Sequence, residues 1–123
     1  MLFRSCLIAD RVEHLTRSKT RKKLTKSDKF LFFDLGVRRL ATHEGTRLPR
    51  ETMGLLFEQF IGLELIRLMH VKGRGARVRF WRDPDGPEVD WMLDEDGAYT
   101  PIEVKLTENP APADIRHLEV FLS

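Results

Sequence analysis

Residues 86–105, GPEVDWMLDEDGAYTPIEVK, decide how this chain folds. They spell two β-strands, 87–93 and 98–106, around a turn at 94–97 whose Asp-Gly step is a strong short-range hairpin signal. On the second strand Ile102 and Val104 alternate with Glu103 and Lys105. A strand has period two, so Glu103 and Lys105 share a face. On the first strand Val89 and Trp91 alternate with Glu88, Asp90 and Met92. Pairing the strands brings Asp90 within reach of Glu103. Two carboxylates and a lysine in one pocket are equipment for holding a divalent cation and a water beside a phosphate.

Working outward, residues 77–82, RVRFWR, read as a further strand, with 83–86 as the turn into the hairpin. Before them, residues 51–71 (ETMGLLFEQFIGLELIRLMHV) form a long helix. Glu51 suits its first turn, Arg67, His70 and Lys72 suit its end, and Gly73 stops it. Leu56, Phe57, Phe60, Ile61, Leu63, Leu65, Ile66 and Leu68 leave almost no polar face, which predicts a central helix buried on more than one side. Glu58 stands out, with Gly54 and Gly62 one turn away on either side. Each glycine costs about 1 kcal/mol of helix stability relative to alanine. Two readings stay open. The glycines leave room around a functional carboxylate, or they serve helix packing while Glu58 shares an exposed stripe with Gln59 and Glu64.

The front of the chain differs in charge. Residues 1–50 carry 13 Lys and Arg against 5 Asp and Glu, whereas residues 51–123 carry 8 against 14. Residues 5–13 and 29–33 read as strands joined by a segment holding Arg17, Lys19, Arg21, Lys22, Lys23 and Lys26. Such a basic-tipped hairpin fits a nucleic-acid backbone, where each neutralised phosphate releases counterions. A solvated basic loop with no partner is the competing reading. No aromatic residue interrupts the run, so base stacking is not expected there. Residues 37–41 suit a short helix and 42–50 a polar connection, dividing a front piece (1–45) from a core (46–123). Residues 107–112 read as a loop and 112–122 as a helix carrying Ile115, Leu118, Val120 and Phe121.

With 123 residues and 41% hydrophobic content the chain can fill one small core. Its single cysteine, Cys6, excludes an internal disulfide and a cysteine-based zinc site, so a reducing, cytoplasmic setting is expected. No apolar run approaches the roughly 20 residues of a membrane span.

The order helix with Glu58, strand, strand with Asp90, strand with Glu103-Val104-Lys105, helix resembles the PD-(D/E)XK nuclease superfamily. Archaeal Holliday-junction resolvases share the bare arrangement more distantly. A closer resemblance, from about residue 5 to 122, is to the DUF4143 domain found at the C-terminal end of AAA-like P-loop ATPases of bacteria and archaea. It is carried by KFLFFDLGVRRL, GLLFEQFIGLELIRL, VRFWRDPDGPEVDWML and TPIEVK. The resemblance implies an α/β, restriction-endonuclease-like core, a mixed sheet flanked by helices, preceded by a winged-helix-like hairpin. It implies that Asp90, Glu103 and the Val104 carbonyl ligate Mg²⁺ or Mn²⁺, that Glu58 reaches the ion through water, and that Lys105 positions the attacking water. No GxxxxGK[ST] loop occurs, so no nucleotide binding is expected and the family's ATPase domain would be a partner outside this sequence. The same resemblance implies a chain that starts partway into the winged-helix-like segment and lacks the strand after its last helix. Its open sheet edge would favour self-association. Three functions compete: a metal-dependent phosphodiesterase acting on DNA, a non-catalytic DNA-binding or regulatory module of an ATPase, and an inert remnant whose Asp90, Glu103 and Lys105 form only a salt-bridged cluster.

Overall fold

A computed structural model describes residues 9–15, 28–41, 43, 45, 47–83 and 86–123. The elements run β1 (Ala9–His14), β2 (Lys29–Phe32), α1 (Leu35–Ala41), α2 (Arg50–Lys72), β3 (Ala76–Arg82), β4 (Glu88–Glu95) and β5 (Ala98–Ile102). A 3₁₀ turn (Pro112–Ile115) then leads into α3 (Arg116–Leu122). The expected hairpin is β4–β5. Asp96 and Gly97 both have positive φ, 55° and 89°, as a two-residue type I′ turn requires.

The five strands form one mixed sheet in the order β2-β1-β3-β4-β5. β1 and β2 pair antiparallel, as expected, but they are not a separate hairpin. The far edge of β1 runs parallel to β3 through Glu13–Arg79 and His14–Phe80. Val12 and Leu31 explain the attachment. They are buried in the same core cluster as Leu63, Ile66, Phe80 and Trp91, so apolar burial draws the front strands onto the sheet beneath α2. A second cluster, Leu15, Trp81, Val89, Met92 and Phe121, fills the space under α3. Trp81 and Phe121 meet edge to face, with centroids 5.3 Å apart. The sheet therefore lies between α2 and α3.

Helix α2 begins and ends where expected, but it is not central. Gly62, Leu63, Ile66 and Met69 are buried against the sheet. Met53, Leu55, Phe60, Leu68 and Val71 are exposed, Val71 by 86%. An almost uniformly apolar helix carries no direction in its pattern, and here one sheet face covers only one side of it. Among the described residues no helix is long and apolar enough to cross a membrane.

Strand β4 departs from simple alternation. Arg79 pairs with Met92 and Trp81 with Val89, so Asp90 and Trp91 together oppose Phe80. This is a β-bulge, in which two residues occupy the place of one and the local side-chain direction is reset. Val89 and Met92 consequently pack in the α3 cluster while Trp91 packs in the α2 cluster. The expected grouping of Val89 with Trp91 does not hold. Strand β5 is also shorter than expected. Its ladder ends at the Trp91–Ile102 pair, and the amide of Val104 donates instead to Asp90 Oδ2 at 2.8 Å.

Candidate functional site

The bulge sets Asp90 between α2 and the segment that follows β5. Its residue is 7% exposed. Burial raises its carboxyl from 3.8 to about 6 because the charged form loses hydration. The Val104 amide opposes that rise, the negative charges of Glu58 and Glu103 add to it, and Lys29 opposes it. Glu103 follows β5 with its side chain only 6% exposed. One of its oxygens, Oε1, accepts from Lys105 Nζ at 2.6 Å. The other, Oε2, is buried without a hydrogen-bond partner among the described residues. Lys105 is the half-exposed member, and its hydrogen bond to Glu103 raises its pKa. Glu103 and Lys105 thus share a side, as the period of a strand requires, although the strand itself has ended.

Glu58 comes to the same neighbourhood from α2, by a route the sequence did not show. Trp91, fully buried, donates from its indole Nε1 to the Glu58 backbone carbonyl at 3.1 Å. Gly62 makes that approach possible. A Cβ built there would lie 2.5 Å from Trp91 Cζ2, inside any allowed contact. Gly62 therefore serves close packing, whereas a Cβ at Gly54 would meet nothing within 4 Å. Glu58 is nonetheless not on an exposed stripe. Its side chain is 21% exposed, and Oε1 accepts from Lys29 Nζ at 3.0 Å.

Lys29 is the site residue that sequence reading missed. It opens β2, where nothing distinguishes it from the other lysines of a basic front half. Its ammonium also reaches the Asp90 carbonyl at 3.4 Å, and it lies 4.7 Å from the Trp91 ring centroid and 5.2 Å from that of Phe80. The expected nucleic-acid contacts Arg17, Lys19, Arg21, Lys22, Lys23 and Lys26 lie outside the described residues.

The site is thus three carboxylates and two ammonium groups around Asp90. Among the described residues no three His, Cys, Asp or Glu side chains converge as a ready metal cage. The donors that fit a cation are the carboxylates of Asp90 and Glu103. They are all oxygen, which suits Mg²⁺ or Mn²⁺. The unpartnered Glu103 Oε2 and the buried Asp90 carboxyl, raised chiefly by loss of hydration, both mark a place where negative charge is poorly compensated. A cleft of about 430 Å³ lies elsewhere, where β1 and β3 splay apart beneath the end of α2, and none of these five residues lines it.

No curated protein and no solved structure matches the chain. A family model, the domain of unknown function DUF4143, matches residues 53–123, a span that takes in most of α2 together with Asp90, Glu103 and Lys105 but not Lys29. With more than half of its length matched, the chain belongs to the DUF4143 family.

Proposed function

We propose that Asp90, Glu103 and the Val104 carbonyl hold one divalent cation, Mg²⁺ or Mn²⁺, in a phosphodiesterase of PD-(D/E)XK type that acts on DNA. The observation that carries this reading is the buried, unpartnered Glu103 Oε2 in a cluster where burial and two neighbouring carboxylates already disfavour the Asp90 charge. When bound, the ion supplies Lewis acidity toward the phosphate and an acidified water. The chain's own groups do the rest. Asp90 is fixed by the Val104 amide, so its remaining oxygen has a defined direction. Lys105, half exposed and anchored on Glu103, would orient the water and offset charge on the phosphate. The six basic residues from Arg17 to Lys26 would hold the duplex through its backbone, which positions without reading sequence.

One observation favours a second reading, a non-catalytic DNA-binding or regulatory module working beside an ATPase domain. Two lysines already stand against Glu58 and Glu103, so part of the negative charge is met without a metal. A plasmid-nicking assay with Mn²⁺, run beside a duplex-binding assay, separates the two. The phosphodiesterase reading expects nicking that Asp90→Ala, Glu103→Gln and Lys105→Ala each abolish. Duplex that is bound and never cut, together with no thermal response to Mn²⁺, overturns it in favour of the second.

A further inference from the structure

Lys29 lies outside the family-matched segment, yet it makes two hydrogen bonds within the site. Its ammonium lies over the Phe80 and Trp91 rings and bonds both the Glu58 carboxylate and the Asp90 carbonyl. Aromatic faces, a carbonyl and a carboxylate are the surroundings that hold a cation when water is largely excluded. Each of the two charged partners is only about one-fifth exposed. The backbone that carries Glu58 is itself pinned by the Trp91 indole, and Gly62 lets that indole come close. Glu58 therefore already has a cation, supplied by the chain.

We infer that Lys29 is a positioning residue of the carboxylate site: a fixed internal cation that neutralises Glu58 and so confines a divalent ion to Asp90 and Glu103. The inference rests on the metal reading of Asp90 and Glu103. It changes the role that family resemblance implies for Glu58, which becomes a carboxylate held away from the ion by its ammonium partner. It also makes the site depend on β2, so the residues matched by the family model do not complete it.

The test measures Mn²⁺ dissociation constants by calorimetry for the wild-type chain, Lys29→Met and the double variant Lys29→Met/Glu58→Gln. Thermal melts in EDTA run alongside. Methionine keeps an unbranched apolar side chain of similar length and removes the charge. Lys29→Met should tighten Mn²⁺ about tenfold or more, because a positive charge leaves and Glu58 becomes available as a ligand. The double variant, which replaces the pair by neutral groups of similar size, should bind Mn²⁺ within about threefold of wild type. A merely structural ion pair would not tighten metal when broken. Where wild type binds Mn²⁺ and Lys29→Met binds it equally or more weakly, the inference fails while the proposed function stands. A double variant that loses Mn²⁺ while melting like wild type in EDTA also overturns it, since Glu58 is then a ligand. Where only Lys29→Met binds Mn²⁺, both fail, since the wild-type chain then holds no ion for Lys29 to confine. If no variant binds Mn²⁺, both fail. Should Lys29→Met not fold, the double variant alone decides, by keeping or losing wild-type affinity.

Discussion

Two aspartates on β4, four residues apart and almost equally buried, have opposite surroundings. Asp94 is 9% exposed and fully engaged. Its Oδ2 accepts from Arg79 Nε at 2.8 Å, its Oδ1 accepts from the Gly97 amide at 3.1 Å, and Arg79 is also 3.5 Å from Glu13. Asp90 is 7% exposed, accepts one backbone amide and faces two other carboxylates. Asp94 closes a hairpin turn and locks β3 to β4. Asp90 is held in a state that burial makes unfavourable, and such carboxylates concentrate where chemistry or ion binding occurs. Burial alone does not separate a structural acid from a functional one. The sign and number of its partners do.

The largest effect should come from breaking the satisfied aspartate. Asp94→Ala leaves the part-buried Arg79 with only the longer contact to Glu13, and we expect a loss of about 3 kcal/mol by urea unfolding, with no change in Mn²⁺ response. If Asp94→Ala instead abolished a Mn²⁺ response while unfolding like wild type, the assignment of the two aspartates would be reversed.

Gly62→Ala should cost about 2 kcal/mol, since the new methyl overlaps Trp91 and the indole must shift. Because Trp91 also underlies Lys29 and holds the Glu58 carbonyl, this variant should disturb the site as well. Gly54→Ala meets no neighbour and should stabilise slightly, through helix propensity. Equal melts for the two variants would remove the packing role given to Gly62.

Asp90→Asn should stabilise the metal-free chain at pH 7. The folded carboxyl is raised from 3.8 to about 6, so the folded state binds its proton more tightly than the unfolded state does. That contribution is fully present below pH 4 and is lost as pH rises through 6. Asparagine can still accept the Val104 amide, and it has no charge to desolvate. At pH 7 the variant should therefore gain about 1–3 kcal/mol, taking 1.36 kcal/mol per unit as the ceiling, and the gain should vanish near pH 4. A gain independent of pH would show that the Asp90 charge is not its origin.

Mn²⁺ should raise the melting temperature of the wild-type chain by a few degrees, corresponding to about 1.4 kcal/mol at ten times the dissociation constant. Asp90→Ala should remove most of that rise, whereas Lys105→Ala should keep it and lose any cleavage. The smallest effect concerns the basic front half. Replacing Arg21, Lys22 and Lys23 together should lower the log–log salt slope of duplex binding by up to about 3, at roughly 0.9 per phosphate contact. An unchanged slope would detach that run from the site.

Much of this was legible in the residues themselves. Period-two alternation around an Asp-Gly step announces β4–β5, and a run of apolar residues closed by Gly73 announces α2, because local backbone preferences and burial patterns act within one element. Glu58, Asp90, Glu103 and Lys105 were legible as candidates for the same reason. Three features were decided only in three dimensions. The bulge at Asp90–Trp91 arises from pairing with Phe80, and one strand's sequence does not record how many residues its neighbour spends. The attachment of the front strands follows from burial of Val12 and Leu31 under α2, a contact between segments far apart in the chain. Lys29 becomes a member of the site only when those strands dock, since what marks it is its distance to Glu58, Asp90, Phe80 and Trp91 and not its residue type. Local chemistry can be read along the chain, but the choice between a paired and an unpaired charge depends on neighbours that folding alone supplies.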